Sequence, residues 1–228
     1  MPTPSFPPID KALRKGILAG AGICVVTVAY SILRYPGILG SPAAPKFLPL
    51  FLIAVLWYGF AAVRWTQVTN SEDFVVLHYG VRWGVVIGLA WIVETFAGNV
   101  LMPHSPIGLL ATIVAAVLPA VAGATGAAVT GQAWTGARIG FWSGVVSGLI
   151  AFAGVAGVGY LIVGFPEFLQ GQDISPAAGD SAAYNIGDYL ATGVSHLLLV
   201  GALFCSAAGA FGGLFGRLVR GQQATLSH

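Results

Sequence analysis

The stretch Arg138–Val163 reads RIGFWSGVVSGLIAFAGVAGVGYLIV and carries no charged residue after its first position. An apolar run of about 20 residues is long enough to cross the roughly 30 Å bilayer core as a helix. The run does not alternate between apolar and polar positions, as the strands of a membrane barrel do. Inside lipid an isolated segment must satisfy its own backbone hydrogen bonds, which only a helix does. The stretch therefore predicts a transmembrane helix.

Five further runs of the same kind occur along the chain. The six predicted spans are Gly16–Leu33, Phe47–Val63, Val81–Leu101, Ile107–Val129, Ile139–Val163 and Leu190–Leu214. The 228 residues are 57% hydrophobic and 8% charged, whereas soluble domains carry about 25% charged residues. So few charges cannot cover a surface that faces water. The predicted fold class is therefore an all-α polytopic membrane protein with six transmembrane helices.

The basic residues predict the orientation. With the N-terminus in the cytoplasm, 8 of the 10 Lys and Arg residues fall on the cytoplasmic side. This bias is typical of inner loops. We expect cytoplasmic tails at residues 1–15 and 220–228 around one membrane domain at residues 16–219, with a bacterial cytoplasmic (inner) membrane as the location. The lipid bilayer is the expected partner, and a net charge of only +2 argues against nucleic acid.

A motif, Arg followed by Gly two and six places later, occurs three times, at Arg14, Arg82 and Arg138. We predict that these arginines, and Arg217 just beyond the last span, anchor the helices at the headgroups. Glycines one turn apart allow close helix approach. The predicted packing glycines are Gly16, Gly20, Gly84, Gly88, Gly140, Gly144, Gly148, Gly209, Gly212 and Gly216.

The recurrence of the motif suggests three tandem helical hairpins, at about 16–64, 81–130 and 138–218. The alternative is chance, since the chain contains 32 glycines. The repeat is the better explanation, because three of the few arginines share the same two glycine offsets.

Glu94 is the main candidate for a functional residue. It lies twelve residues beyond Arg82, which places it about 18 Å deep at 1.5 Å per residue. An ionisable group at that depth is costly and by default indicates function. The alternative is a protonated Glu that holds two helices together through a hydroxyl or carbonyl group.

His196 is the second candidate. Counted back from Arg217, it lies about 31 Å from the inner face, near the outer boundary. The favoured interpretation is an ordinary interfacial histidine. The alternative is an outer vestibule that His196 forms with Asp188, two turns away on the same helix. The predicted depths of Glu94 and His196 differ by about 13 Å, which argues against a direct pair.

The sequence contains no recognisable catalytic, nucleotide-binding or metal-binding motif. We therefore expect no enzyme, no cofactor and no metal site. Two functions remain. One is a small-solute or ion permease with Glu94 as the intramembrane polar site. The other is a non-catalytic accessory or scaffold subunit whose glycine-zipper faces bind another membrane subunit or a second copy of the chain. The sequence indicates no known family.

Overall fold

The computed structural model describes residues 9–101, 106–165 and 181–226. Residues 1–8 and 227–228 of the two predicted tails lie outside these ranges. Within them the helices are α1 (Ile9–Arg34), α2 (Ala44–Arg64), α3 (Ser71–Phe96), α4 (Pro106–Thr130), α5 (Ala133–Gly164), α6 (Ser181–Ser195) and α7 (Cys205–Leu226). A π-helical segment, Ala97–Leu101, follows α3, and a second, His196–Phe204, joins α6 to α7.

Six helical segments are long and apolar enough to cross a membrane. This confirms the six predicted spans, and the described residues contain no strand. The ends differ from the prediction. Helix α1 begins at Ile9 rather than Gly16, and α7 continues to Leu226, so parts of both predicted tails are helical. The last segment, Ala182–Arg220, is called the sixth span below; it comprises most of α6 and α7 and the π-helical segment between them.

Helix α5 occupies the centre of the bundle. It packs against α1, α3, α4 and the whole sixth span. In its most apolar window 56% of the residues are buried, compared with 22% in α4. Glycine, serine and alanine dominate the buried positions of α5, and small side chains let neighbouring helices approach closely. Other helices therefore pack closely around α5, and many of their large apolar side chains face outward.

Helix α5 and the sixth span touch backbone to backbone. A Cβ atom on Gly144 would lie 1.8 Å from the carbonyl oxygen of Gly201, and one on Gly140 would lie 2.2 Å from that of Cys205. The sixth span also approaches α4, where Gly212 and Gly216 face the carbonyl oxygens of Ala120 and Ala124. Only glycine leaves room for carbonyl groups at these distances.

Glycine Gly16 behaves differently from the prediction. No atom lies within 4 Å of the position where its Cβ would be. It lines an apolar groove of about 480 Å³ between α1 and α5. The expected close helix contact at Gly16 is therefore not formed, whereas Gly20, one turn later, faces the side chain of Leu149.

Arg138 joins the first turns of α3 and α5. Its guanidinium donates from Nη1 to Glu72 Oε1 (3.1 Å) and from Nη2 to Asp73 Oδ1 (2.5 Å). Asn70 caps α3 by accepting from the backbone N–H of Asp73. The arginine predicted to reach for lipid headgroups is thus held by two carboxylates, while Arg14, Arg82 and Arg217 are exposed. The end of the bundle at which Arg138 meets Glu72 and Asp73 is called the basic end.

Candidate functional site

The contacts of the glycines show which residues lie at the same height along the bundle. Helices α3 and α5 run in the same direction, and three glycines of α3 face three side chains of α5. These are Gly80, Gly84 and Gly88 against Trp142, Val146 and Ile150. Each residue of α3 therefore lies level with the α5 residue numbered 62 higher. The sixth span runs the other way, with Gly209, Cys205 and Gly201 beside Gly136, Gly140 and Gly144.

This register reverses the predicted depths of Glu94 and His196. The carbonyl group of His196 lies against Gly148, the sixteenth of the 32 residues of α5. His196 is therefore at mid-length. Glu94 lies level with Ala156, about 12 Å farther from the basic end at 1.5 Å per residue. Of these two residues His196 is the more central, and Glu94 lies toward the opposite end, where Tyr30 and Tyr160 pack together.

The error in depth has a simple cause, because the arginines that served as reference points are not level. Arg82 lies level with Gly144, about 9 Å beyond Arg138. At the other extreme, Gly213 already faces Ala133, the first residue of α5, so Arg217 lies beyond the start of that helix. Counting from the nearest arginine therefore placed Glu94 too centrally and His196 too far out.

His196 is buried, with 7% of its surface exposed. Its Nδ1 atom lies 3.0 Å from the carbonyl oxygen of Thr192. A carbonyl group only accepts hydrogen bonds, so Nδ1 carries the proton. In the neutral ring Nε2 is then an acceptor. Nε2 is buried and has no hydrogen-bond partner within the described part of the protein.

Trp91 packs against His196, with the ring centroids 5.1 Å apart and the planes at 76°. It is 8% exposed and lies in a cluster that draws residues from four spans: Ile87, Ala115, Ala151 and Cys205. The indole Nε1–H is a donor only. Like His196 Nε2, it is buried without a partner among the described residues. An acceptor and a donor, both unpaired, thus occur on two rings in contact at mid-length.

The other buried polar atoms that lack a partner in the described ranges are Ser41 Oγ and Asn185 Nδ2. Ser41 lies beside Gly187 of α6, close to the level of Glu94 and of the tyrosines. The unpaired groups at the centre of the bundle are therefore those of His196 and Trp91.

The π-helical segment of the sixth span begins at His196 itself. Within it the N–H of Cys205 donates to the carbonyl oxygen of Val200, five residues back. The hydroxyl group of Tyr58 on α2 donates to the carbonyl oxygen of Leu197, at 2.9 Å in a buried position. Single-turn π-helical irregularities are frequent at functional sites. Here the irregular segment runs for nine residues along the glycine face of α5.

Glu94 joins α3 to α4. Its Oε1 atom accepts from the hydroxyl group of Thr112 at 2.8 Å, and its Oε2 atom accepts from that of Thr95 at 3.3 Å. The Thr112 hydroxyl is also 3.0 Å from the carbonyl oxygen of Gly108. It has one proton. It donates to an ionised Glu94, or it donates to Gly108 and accepts from a protonated Glu94. The cluster therefore satisfies both protonation states of the carboxyl group.

The structure does not bring Asp188 and His196 together in a vestibule. Asp188 is exposed on α6, whereas His196 is buried two turns away. Sequence reasoning also missed Trp91, Tyr58 and Thr112, since an aromatic or Thr residue inside an apolar run is usually a packing residue. One signal existed: Trp91 precedes Glu94 by three residues, which places the two on neighbouring positions of one helix face.

The helices and their composition are those of a multi-pass membrane protein. No family model matches the chain, and no curated protein or solved structure matches it.

Proposed function

We propose that the protein is a small-solute or ion permease whose path passes the His196–Trp91 pair and opens near Glu94. The observation that carries the proposal is the presence of two unpaired polar atoms, His196 Nε2 and Trp91 Nε1, in contacting rings at mid-length. Each buried polar group without a partner costs about 1–3 kcal/mol. A helix bundle that served only as a support would be more stable with apolar residues here.

Glu94 supports the same proposal. The Thr112 hydroxyl group lies within hydrogen-bond distance of both the Glu94 carboxyl group and the Gly108 carbonyl oxygen, so a polar cluster lies beside the proposed opening. Such a cluster suits a proton-linked or polar step near one opening of a path. The same hydrogen bond also supports the alternative interpretation of Glu94, in which the residue holds α3 against α4.

The sixth span is the element proposed to move. The centre is closed at Gly144, where backbone atoms of α5 and the sixth span meet. A path past His196 requires the two to separate or slide. The proposed motion is a change between π- and α-helical hydrogen bonding in His196–Phe204, since π-helical irregularities are frequent at functional sites. Among the described residues, the Tyr58 hydrogen bond to Leu197 ties this segment to α2.

We also propose the finer features of the architecture. The motif glycines of α5 lie against the sixth span, the other half of the proposed third hairpin, which supports packing through small-residue faces. The motif glycines of α3 lie against α5 rather than α4, and Gly16 lies open, so the first two proposed hairpins depart from that pattern. The clustering of basic residues supports a cytoplasmic location for both termini, in a bacterial inner membrane.

The second candidate is an accessory or scaffold subunit that associates through glycine-zipper faces. The contacts favour it less. Gly140, Gly144, Gly209, Gly212 and Gly216 face backbone atoms of the same chain, so a partner helix has no access to them in this structure. A homo-oligomer or a partner subunit would have to use another surface, such as the groove beside Gly16.

A flux assay in liposomes tests the permease. We expect proteoliposomes to pass water, ammonia, protons or a small cation faster than empty liposomes. We expect His196→Phe to lower that flux by about tenfold or more, the factor that corresponds to about 1.4 kcal/mol.

The matched control is His78→Phe. His78 lies near the basic end of α3, is only partly buried and stacks on Phe74. It should retain the flux. Proteoliposomes no leakier than empty ones for every solute, with correctly folded protein, would reject the permease in favour of the subunit.

A further inference from the structure

We propose that His196 and Trp91 bind one neutral, water-sized molecule in which a single atom both donates and accepts a hydrogen bond. Water and ammonia are the two common molecules of this chemistry. The binding claim stands on the geometry of the two rings. The further claim that such a molecule is the solute that crosses the membrane rests on the proposed permease function.

The first step is the polarity of each nitrogen. In the neutral ring, the contact of His196 Nδ1 with the Thr192 carbonyl oxygen places the proton on Nδ1 and leaves Nε2 with a lone pair. Trp91 Nε1 offers a proton and no lone pair. A ligand that binds both groups must therefore offer a lone pair to Trp91 Nε1–H and a proton to His196 Nε2.

The second step is size. Two hydrogen bonds of about 2.9 Å through one bridging atom span up to about 5.8 Å. The two rings are in contact, with centroids 5.1 Å apart, so a molecule that binds both nitrogens at once must be small. Buried sites of this kind, polar and shared by several helices, are where proteins hold ordered water.

The third step is charge. A metal or ammonium cation presents no lone pair to Trp91 Nε1–H, and a simple anion such as chloride presents no proton to His196 Nε2. The rings also lie among apolar and small side chains, of which Ile87, Ala115 and Ala151 are buried, where an unpaired ion is costly. The site therefore selects a neutral molecule, which distinguishes it from Glu94, the ionisable group nearer the far end.

Nuclear magnetic resonance of the full chain in lipid nanodiscs tests the binding directly. The chain has six Trp and four His residues, so 15N labelling of these residues gives few signals, and Trp91→Phe identifies that of Trp91. We expect a cross-peak between the Trp91 indole proton and a bound water proton, with His196 Nε2 in the position of a hydrogen-bond acceptor. Addition of ammonia at mildly alkaline pH then separates the two ligands.

A saturable shift of the Trp91 signal with ammonia supports a site that takes both molecules. A water cross-peak without an ammonia response supports the proposal with water as the ligand. Absence of both, or a His196 ring protonated on both nitrogens, overturns it. His196→Leu provides the comparison: this variant should lose the Trp91 cross-peak while the five other indole signals stay in place.

Because this measurement needs no transport, its result is independent of the flux assay. Binding without flux would leave the ligand site and remove the permease. Flux without binding at these rings would keep a permease whose path lies elsewhere.

Discussion

Gly144→Ala is expected to destabilise the protein severely, although it adds only one methyl group. That methyl carbon would lie 1.8 Å from the carbonyl oxygen of Gly201 and 2.6 Å from its carbonyl carbon. Backbone atoms cannot turn aside as a side chain does, so α5 and the sixth span must separate along their contact. Overpacking a core costs about 1–3 kcal/mol when side chains adjust. We expect a loss above that range, measured as the free energy of unfolding in mixed micelles.

The matched control lies on the same helix. Gly157 has no atom within 4 Å of its Cβ position and faces away from the bundle. Gly157→Ala should leave stability unchanged or raise it by about 0.5–1 kcal/mol, because Ala loses less conformational freedom in a helix than Gly. Equal effects of the two substitutions would show that the close contact of α5 with the sixth span does not exist.

Arg138→Gln is expected to have the second-largest effect on stability. It removes the cation that contacts Glu72 and Asp73 and leaves two neighbouring carboxylates at the start of α3. Asp73 is 12% exposed at its side chain and Arg138 is 32% exposed. Breaking a fully buried pair costs about 3–5 kcal/mol, and partial exposure lowers that cost. We expect a loss of about 1–3 kcal/mol in the same unfolding measurement.

The control is Arg82→Gln, at the equivalent position of the sequence motif. Arg82 is exposed, so its loss should change the free energy of unfolding by no more than about 0.5 kcal/mol. Arg138→Lys should be intermediate, since one ammonium group replaces two separate guanidinium nitrogens poorly. Similar small losses for both Gln variants would mean that Arg138 is only an interface anchor, as the motif alone predicts.

The sequence predicted the helices because each is encoded locally, by a long apolar run with few or no charges. The packing of the other helices around α5 could be predicted from the sequence only in part. Stripes of Gly and Ser along this helix indicated close packing, but they did not reveal which helix lies against which glycine. That depends on contacts between segments far apart in sequence, such as Gly144 with Gly201.

The polar residues show where local reasoning fails. Depth was measured from the nearest arginine on each helix, which assumes that all the arginines lie at one interface. Arg138 instead pairs with the acids of α3, and Arg82 lies about two turns farther along the bundle. The π-helical segment that begins at His196 has no signature in its sequence, HLLLVGALF. Whether the Trp91 indole N–H has a hydrogen-bond partner depends on which groups the other helices place beside it.

The central claim is that a polar path reaches His196 in the middle of the bundle, and access of water to that position tests it most directly. In a background of Cys24→Ala and Cys205→Ala, which removes both buried native thiols, the test variant is His196→Cys. Gly157→Cys, facing outward on α5, is the control for a thiol outside the path. Gln132→Cys, exposed between α4 and α5, shows that the reagent works.

We expect a small water-soluble thiol reagent to label His196→Cys in liposomes more slowly than Gln132→Cys, since the centre is closed for part of the time. The rate should still exceed that of Gly157→Cys by about tenfold or more, the factor that corresponds to about 1.4 kcal/mol. Labelling of His196→Cys no faster than Gly157→Cys, while Gln132→Cys reacts fully, would mean that no water path reaches the rings, and it would contradict the account.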